Sequence, residues 1–246
     1  MRADGLNGLD GLLFFHNHPY FQEAVLDYLY AAVAVLAAYL LGSLSFAVIV
    51  SRILGLSDPR SYGSHNPGAT NVLRSGHKGA AVATLLLDGL KGWLPVVLIK
   101  WFGKDYGLDD GTLAAAGFAA FMGHLFPVFF KFKGGKGVAT AAGVLLGIDW
   151  LLGLATLGTW VIVAYFSRYS SVAALVSAAF APLFYMMGDR VVWYSERSIL
   201  LAIFVMGMLL VARHKDNISK LMEGTESKLT KPAKLTKLSK GQKPSK

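Results

Sequence analysis

The sequence contains no cysteine. Disulfides, thiolate metal sites and a cysteine nucleophile are therefore excluded. Charge is scarce as well. Only 16% of the 246 residues are charged and 54% are hydrophobic, where an ordinary soluble domain carries about 25% charged residues. The deficit is uneven. Long stretches hold no charge at all, while Lys and Arg cluster between them and at the end. That pattern predicts an all-α, polytopic integral membrane helix bundle, with spans joined by polar loops. The net charge of +9 does not describe the whole molecule, because residues 219–246 hold eight Lys against two Glu. No nucleic-acid partner is expected.

The uncharged runs place the spans. A helix rises 1.5 Å per residue and needs about 20 residues to cross a ~30 Å hydrocarbon core. Residues 28–51 form a run of that length. It is read as a retained span rather than a signal peptide, since polar and acidic residues precede it. Residues 79–99, interrupted by Asp88, Lys91 and Pro95, are the second candidate. Residues 112–130, with His124 as the only titratable group, are the third. Residues 137–148 are too short to cross unaided. Residues 150–167, 170–187 and 198–212 complete the set. Loop charge decides whether the short segment counts. Residues 52–78, the turn 131–136, Arg168 and the tail are basic. Residues 104–110, Asp149 and 189–197 are neutral or acidic. Seven transmembrane helices, the fourth one short, put every basic loop inside. The N-terminus is then outside and the C-terminus cytoplasmic. Three regions follow: an extracytoplasmic segment 1–27, a membrane domain 28–218, and a basic, disordered cytoplasmic tail 219–246 whose lysines attract anionic lipid and which the chemistry does not need. His16 and His18 have no matching ligands nearby and are read as loop residues, not a metal site.

Four polar motifs fall on the basic face. The first runs Gly63-Ser64-His65-Asn66-Pro67-Gly68-Ala69-Thr70-Asn71-Val72-Leu73-Arg74. Gly and Asn tolerate positive φ, so backbone N–H groups can converge into an anion nest, with Arg74 gripping a phosphate bidentately; an ordinary loop of turn formers reads the same way. The second, Phe132-Lys133-Gly134-Gly135-Lys136-Gly137, sets glycines and two lysines ahead of a helix. It suits a phosphate, or simply a turn with topogenic lysines. It is not a Walker A loop, because Gly137 follows Lys136. The third is Arg213-His214-Lys215-Asp216-Asn217, at the end of the last span, and the fourth is Arg168-Tyr169-Ser170-Ser171. Asp88 and Lys91 share a helix face near mid-membrane, where charges must pair. A structural ion pair is expected there.

Taken together, residues 63–74, Gly123-His124 with Pro127-Val128-Phe129-Phe130, residues 132–140 and residues 213–218 resemble the bacterial acyl-phosphate-dependent glycerol-3-phosphate acyltransferases, the PlsY family. The likeness runs from about residue 36 to 226. His65 and Lys131 stand where that pattern usually has glycine. The resemblance implies seven spans in the bacterial inner membrane, with the active site facing the cytoplasm. It implies transfer of a fatty acyl group from acyl phosphate to the 1-hydroxyl of glycerol 3-phosphate. The products are 1-acylglycerol 3-phosphate and phosphate, in the first acylation of phospholipid synthesis. It assigns catalytic roles to Ser64, Lys136, His214 and Asn217. Asn66, Thr70, Asn71, Arg74, Lys133, Gly135 and Ser171 become substrate-binding residues. No cofactor, metal or obligate protein partner is implied beyond the two substrates and membrane lipid. The His–Asp motif of soluble-type acyltransferases is missing, since no His here has an Asp five positions on. The competing reading is a membrane carrier for phosphate or a phosphate ester. A carrier should show matching motifs on both faces or an internal repeat, and the sequence has neither.

Overall fold

In lipid a chain must satisfy its own backbone polar groups, so uncharged runs of this length fold as helices. A computed structural model describes residues 19–229, and among these there is no β-strand. His16, His18, the rest of the N-terminal segment to residue 18, and the Lys-rich tail from residue 230 lie outside the described residues. The helices are α1 (Pro19–Gly42), α2 (Phe46–Ile53), α3 (Ala69–Arg74), α4 (Lys78–Phe102), α5 (Asp110–Leu125), α6 (Val138–Ile148), α7 (Trp150–Ser167), α8 (Ser170–Met187), α9 (Arg197–Arg213) and α10 (Lys215–Met222). Short 3-10 turns follow α4 (Gly103–Tyr106) and α5 (Val128–Phe130).

Among the described residues five helical stretches are long and apolar enough to cross a membrane, and α9 with α10, bent by 55°, makes a sixth when counted as one span. α6 has only 11 residues. The expected runs at 150–167 and 170–187 coincide with α7 and α8. The first run differs. Instead of one span over 28–51, α1 begins at Pro19, ends at Gly42, and a break at 43–45 leads into the amphipathic α2. The break has a local cause. Ser43 Oγ donates to the Tyr39 carbonyl at 2.8 Å, and Lys91 Nζ reaches across to the Leu44 carbonyl at 2.6 Å. A carbonyl held by an ammonium group need not be satisfied by a helix. The tail boundary expected at 219 likewise falls inside α10, and the described chain continues to Leu229.

Between helices in lipid, close packing replaces the hydrophobic effect as the main attraction. The most extensive pairings are α4 on α6, α1 on α5 and α7 on α8. α4 and α6 touch through glycine: a Cβ on Gly143 would overlap the Gly89 carbonyl, and one on Gly92 the Thr140 carbonyl. Phe121, Leu125, Val96, Val144 and Leu152 fill the centre. Beside them Asp88 and Lys91 pair at 2.8 Å, both buried, as the sequence spacing predicted. His124 joins them as a third member, 3.6 Å from Asp88 Oδ1 and 3.2 Å from Thr140 Oγ1.

The bundle has two distinct ends. At one, the Tyr30 and Tyr106 rings meet edge to face at 5.5 Å. At the other, the four polar motifs come together.

Candidate active site

The first motif is folded by one side chain. Asn71, on α3, accepts from the Ser64 N–H at 3.0 Å and donates to the Pro59 carbonyl at 2.7 Å and the Tyr62 carbonyl at 3.1 Å. Its amide is committed to holding the 59–64 loop in place. It therefore positions Ser64 rather than offering itself freely to a ligand. His65 within this loop has φ 56°, and Lys131 in the next motif has φ 54°. Both residues that depart from the family's glycine thus sit in the left-handed region glycine favours, at a cost of about 1–2 kcal/mol each. At His65 a hydrogen bond from Nδ1 to the Arg60 carbonyl, 3.0 Å, offsets part of that cost.

The second motif is packed hard onto the end of α5. A Cβ on Gly134 would overlap the carbonyls of His124 and Leu125, and one on Gly135 the His124 ring. The Gly135 N–H donates to the His124 carbonyl at 3.1 Å, and Arg213 donates to the carbonyls of Gly134 and Gly135 at 3.0–3.2 Å. Both polar groups of Gly135 are therefore spent within the protein, and Lys133 is exposed. Neither residue lines the cavities described below. The resemblance implies substrate contacts for both. The glycines allow close approach to α5, and Lys136 alone of this motif's two lysines turns inward, where it donates to Asn217 Oδ1.

The third motif sits at the bend between α9 and α10. His214 Nδ1 lies 2.8 Å from the Leu210 carbonyl. A carbonyl can only accept, so Nδ1 carries the proton and Nε2 is left as an acceptor. Burial drives the His214 pKa down to about 4, so the ring is neutral at neutral pH. Burial also lowers the Lys136 pKa to about 8, against the opposing pull of the Glu226 carboxylate. Ser171, from the fourth motif, donates to Glu226 Oε1 at 2.9 Å.

These residues border two adjoining cavities. The larger, about 760 Å³, has Ser64, Asn66, Thr70, Asn71, Arg74, Lys136, Ser171, His214 and Asn217 at its head. Its body is an apolar trough between α4, α6, α7 and α8, walled by residues such as Leu86, Trp93, Leu146 and Trp160. The smaller, about 310 Å³, is polar and basic, with Arg213, Lys215 and Lys220 on its wall. Ser64, Asn66, Lys136 and Asn217 border both. The N-termini of α6 and α8 open on the larger cavity, and neither is capped by a side chain among the described residues. Free N–H groups and helix dipoles there favour an anion. Arg74 adds a charged donor. Its Nη2 donates to the Ser227 carbonyl at 3.1 Å, while its buried Nε has no partner among the described residues. Arg74→Lys is expected to lower kcat/KM for a phosphate substrate by about tenfold or more, because the ammonium cannot reproduce a forked contact. Wild-type kinetics in that variant would remove Arg74 from phosphate binding.

Sequence reasoning missed Glu226 and Leu229, which lie past the motifs in the Lys-rich region. It also missed His124 as the partner of Asp88. The available signals were slight: Glu226 is one of two acids among eight lysines, and His124 is the single titratable group in its span.

Comparison with known proteins identifies the family. Residues 32–224 match the family model described as glycerol-3-phosphate acyltransferase. The chain is 61% identical over 201 residues to the glycerol-3-phosphate acyltransferase of Albidiferax ferrireducens, covering 82% of this chain and 90% of that one. It is 58% identical over 200 residues to that of Cupriavidus pinatubonensis, covering 81% and 96%. Among solved structures, PlsY, an integral membrane glycerol 3-phosphate acyltransferase, superimposes in its glycerol 3-phosphate form with a TM-score of 0.74 at 37% identity, over 80% of this chain and 94% of that one. Its lysophosphatidic acid form gives 0.72 at 36% identity. With a family match across most of its length and relatives near 60% identity, this multi-pass membrane chain belongs to the glycerol-3-phosphate acyltransferase family.

Proposed function

We propose that the protein transfers a fatty acyl group from acyl phosphate to the 1-hydroxyl of glycerol 3-phosphate, at the wall shared by the two cavities. The observation that carries this is their unequal chemistry. A long apolar trough with a polar, cationic head suits an acyl chain ending in phosphate. A small basic pocket beside it suits a short, water-soluble phosphate ester. Ser64, Asn66, Lys136 and Asn217, bordering both, are where the acyl carbon and the attacking hydroxyl would meet. Asn66, Thr70, Arg74 and Ser171 line the donor side, with Asn71 holding the loop.

In the reaction the C1 oxygen of glycerol 3-phosphate bonds to the acyl carbon and the acyl–oxygen bond to phosphate breaks. The hydroxyl proton passes to the departing phosphate, a dianion near neutral pH. The protein orients the two substrates and stabilises the charge that develops, the main sources of rate when the donor is already activated. His214 Nε2, an acceptor, suits the hydroxyl hydrogen rather than a phosphate oxygen. His214→Gln is expected to lower kcat less than about 10²-fold and to keep any acidic limb of the pH–rate profile. Loss of that limb together with a fall of about 10³-fold would make His214 the base. For the function as a whole, purified protein is supplied with glycerol 3-phosphate and one of palmitoyl phosphate, palmitoyl-CoA or palmitoyl acyl carrier protein. Lysophosphatidic acid is expected from the first alone. Turnover with either thioester in its place would overturn the donor assignment.

The same reading includes seven crossings of the bacterial inner membrane, the N-terminus outside and the site cytoplasmic. Its support is that all four basic motifs meet at one end of the bundle, so α6, short as it is, connects that end to the other. Because the chain has no cysteine, single cysteines report their own side. Cysteine at Gly134 or Ser170 should be shielded from an impermeant thiol reagent in intact cells, and cysteine at Asp149 or Ser195 should react. Labelling of Gly134 and Ser170 from opposite sides would exclude this topology.

A further inference from the structure

Among the described residues five that are not glycine have a positive φ: His65, Lys131, Phe132, Arg168 and Arg190. Of these, His65 alone borders a cavity, and it borders only the smaller one, while its chain neighbours Ser64 and Asn66 border both. Strained backbone of this kind persists where surroundings or a task hold it, and it gathers at ligand sites. The ring has one fixed contact. Nδ1 lies 3.0 Å from the Arg60 carbonyl, and a carbonyl can only accept, so Nδ1 carries a hydrogen. Arg60 is not on the cavity wall. The bond thus spends Nδ1 outside the pocket and leaves Nε2, an acceptor in the neutral ring, for what the pocket holds. Acceptors are few there. Lys136, Arg213, Lys215 and Lys220 on the wall suit a phosphate and have no lone pair for a hydroxyl hydrogen. Asp216, the acid on this wall, stands four residues before Lys220 on α10, a spacing that favours pairing with that lysine.

We propose that His65 recognises the C2 hydroxyl of glycerol 3-phosphate, accepting its hydrogen at Nε2, and so makes the acceptor pocket selective for a vicinal diol. The C1 oxygen reacts at the wall shared by the two cavities, and the phosphate lies among the cations of the smaller one. The C2 oxygen is then one carbon from the shared wall and still inside the smaller cavity. His65 has the same placement: one residue from Ser64 and from Asn66, yet outside the donor cavity. A carbonyl oxygen at C2 would set lone pair against lone pair, and a C2 carrying only hydrogens would leave Nε2 unmatched. Glycine would adopt this backbone without strain, but it would bring no ring to the pocket.

This role rests on the acyl-transfer reading of the site, and one arm of its test needs no transfer. The kinetic probes are glycerol 3-phosphate and 3-hydroxypropyl phosphate, which keeps the reacting hydroxyl and the phosphate but lacks the C2 hydroxyl. His65→Gly should lower kcat/KM for glycerol 3-phosphate by about five- to tenfold, through the KM for that acceptor, with the KM for acyl phosphate unchanged. For 3-hydroxypropyl phosphate the same variant should stay within about twofold of wild type, because the contact is already missing from the substrate. His65→Asn, which tolerates the left-handed backbone but reaches less far, should show the same pattern. Lys131→Gly is the matched control. It relieves the same strain, at φ 54° and away from both cavities, so it should raise the unfolding midpoint and change no kinetic constant. Equal losses with the two acceptors in the His65 variants, or no loss with either, would overturn the proposal. In the arm without transfer, His65 of the full-length wild-type protein is modified with diethyl pyrocarbonate and followed by mass spectrometry of its peptide. Saturating glycerol 3-phosphate should slow that modification severalfold, and an unchanged rate overturns the proposal. Protection in a protein that transfers no acyl group would sink the functional reading and leave the His65 contact standing.

Discussion

Lys136→Ala is expected to slow acyl transfer by about 10²–10³-fold, the largest catalytic loss of any single substitution in the site. Lys136 is the one ammonium among the described residues that borders both cavities, so in the proposed reaction its charge can follow the phosphate from bound donor to leaving group. A group that strengthens its contact as charge builds on the departing oxygens acts on kcat, not only on KM. The pH dependence gives a second signature. With a pKa of about 8, Lys136 loses its proton as pH rises past that value. The kcat/KM should therefore fall above about pH 8, while the limb in kcat lies higher because bound phosphate holds the proton. Lys136→Arg, which stays charged, should lose the kcat/KM limb at an intermediate rate. Folding responds in the opposite sense. The unfolded lysine keeps its proton up to about 10.5 while the folded one releases it near 8, so stability rises with pH across that window. Activity falling while the unfolding midpoint rises, measured on one preparation between about pH 7 and 10, would be hard to explain by any surface group. A flat kcat/KM over that range would remove Lys136 from phosphate recognition.

The largest structural effect is expected at Gly143. A methyl group there meets the Gly89 carbonyl of the facing helix, backbone against backbone, so no side chain can swing away. Gly143→Ala should cost about 3 kcal/mol, near the upper end for overpacking. Gly143→Leu should abolish folding. Gly158 on α7 is the matched control. Nothing lies within 4 Å of its added Cβ, so Gly158→Ala should raise stability by about 0.5–1 kcal/mol through helix propensity. Unfolding midpoints in one detergent decide the matter, and equal midpoints for the two alanine variants would refute the tight α4–α6 contact. Because α6 begins just after Lys136, any Gly143→Ala protein that does fold should also lose activity.

Much of this was legible in the residues. Helix ends at Trp150, Ser167, Ser170 and Met187 followed from where charge and turn formers resume, because the membrane penalises both. The site's head followed from polar residues crowded beside apolar runs. What escaped has physical reasons. The break at 43–45 lies in an uncharged stretch, and the lysine that stabilises it stands far along the chain at Lys91. The packing of the second motif was not legible, because glycine beside lysine suits both a phosphate cradle and a turn pressed against a helix, and the partner of Gly135, His124, comes from another element. Asn71 was recognised as a site residue, but its amide turns toward backbone, which no spacing reveals. Glu226 was invisible for a compositional reason: it sits in a segment whose lysines argue for a solvated tail.

α6 also has a consequence for the lipid around it. Eleven residues rise about 16 Å, roughly half the thickness of the hydrocarbon layer. In the proposed seven-crossing topology, Lys136 at one end and Asp149 at the other cannot both rest at undisturbed interfaces. At the far end Lys100 donates to the Ile148 carbonyl at 2.6 Å, drawing an ammonium inward. In that topology the bilayer thins there, or water and polar groups sink below headgroup level. Either way, a lipid-borne carboxyl carbon is met close to the depth where it already floats. Hauling four methylenes into water would cost about 3 kcal/mol at about 0.8 kcal/mol each. A deep-set reaction plane spares the substrate that ascent, so thicker bilayers should slow the enzyme and thinner ones should suit it.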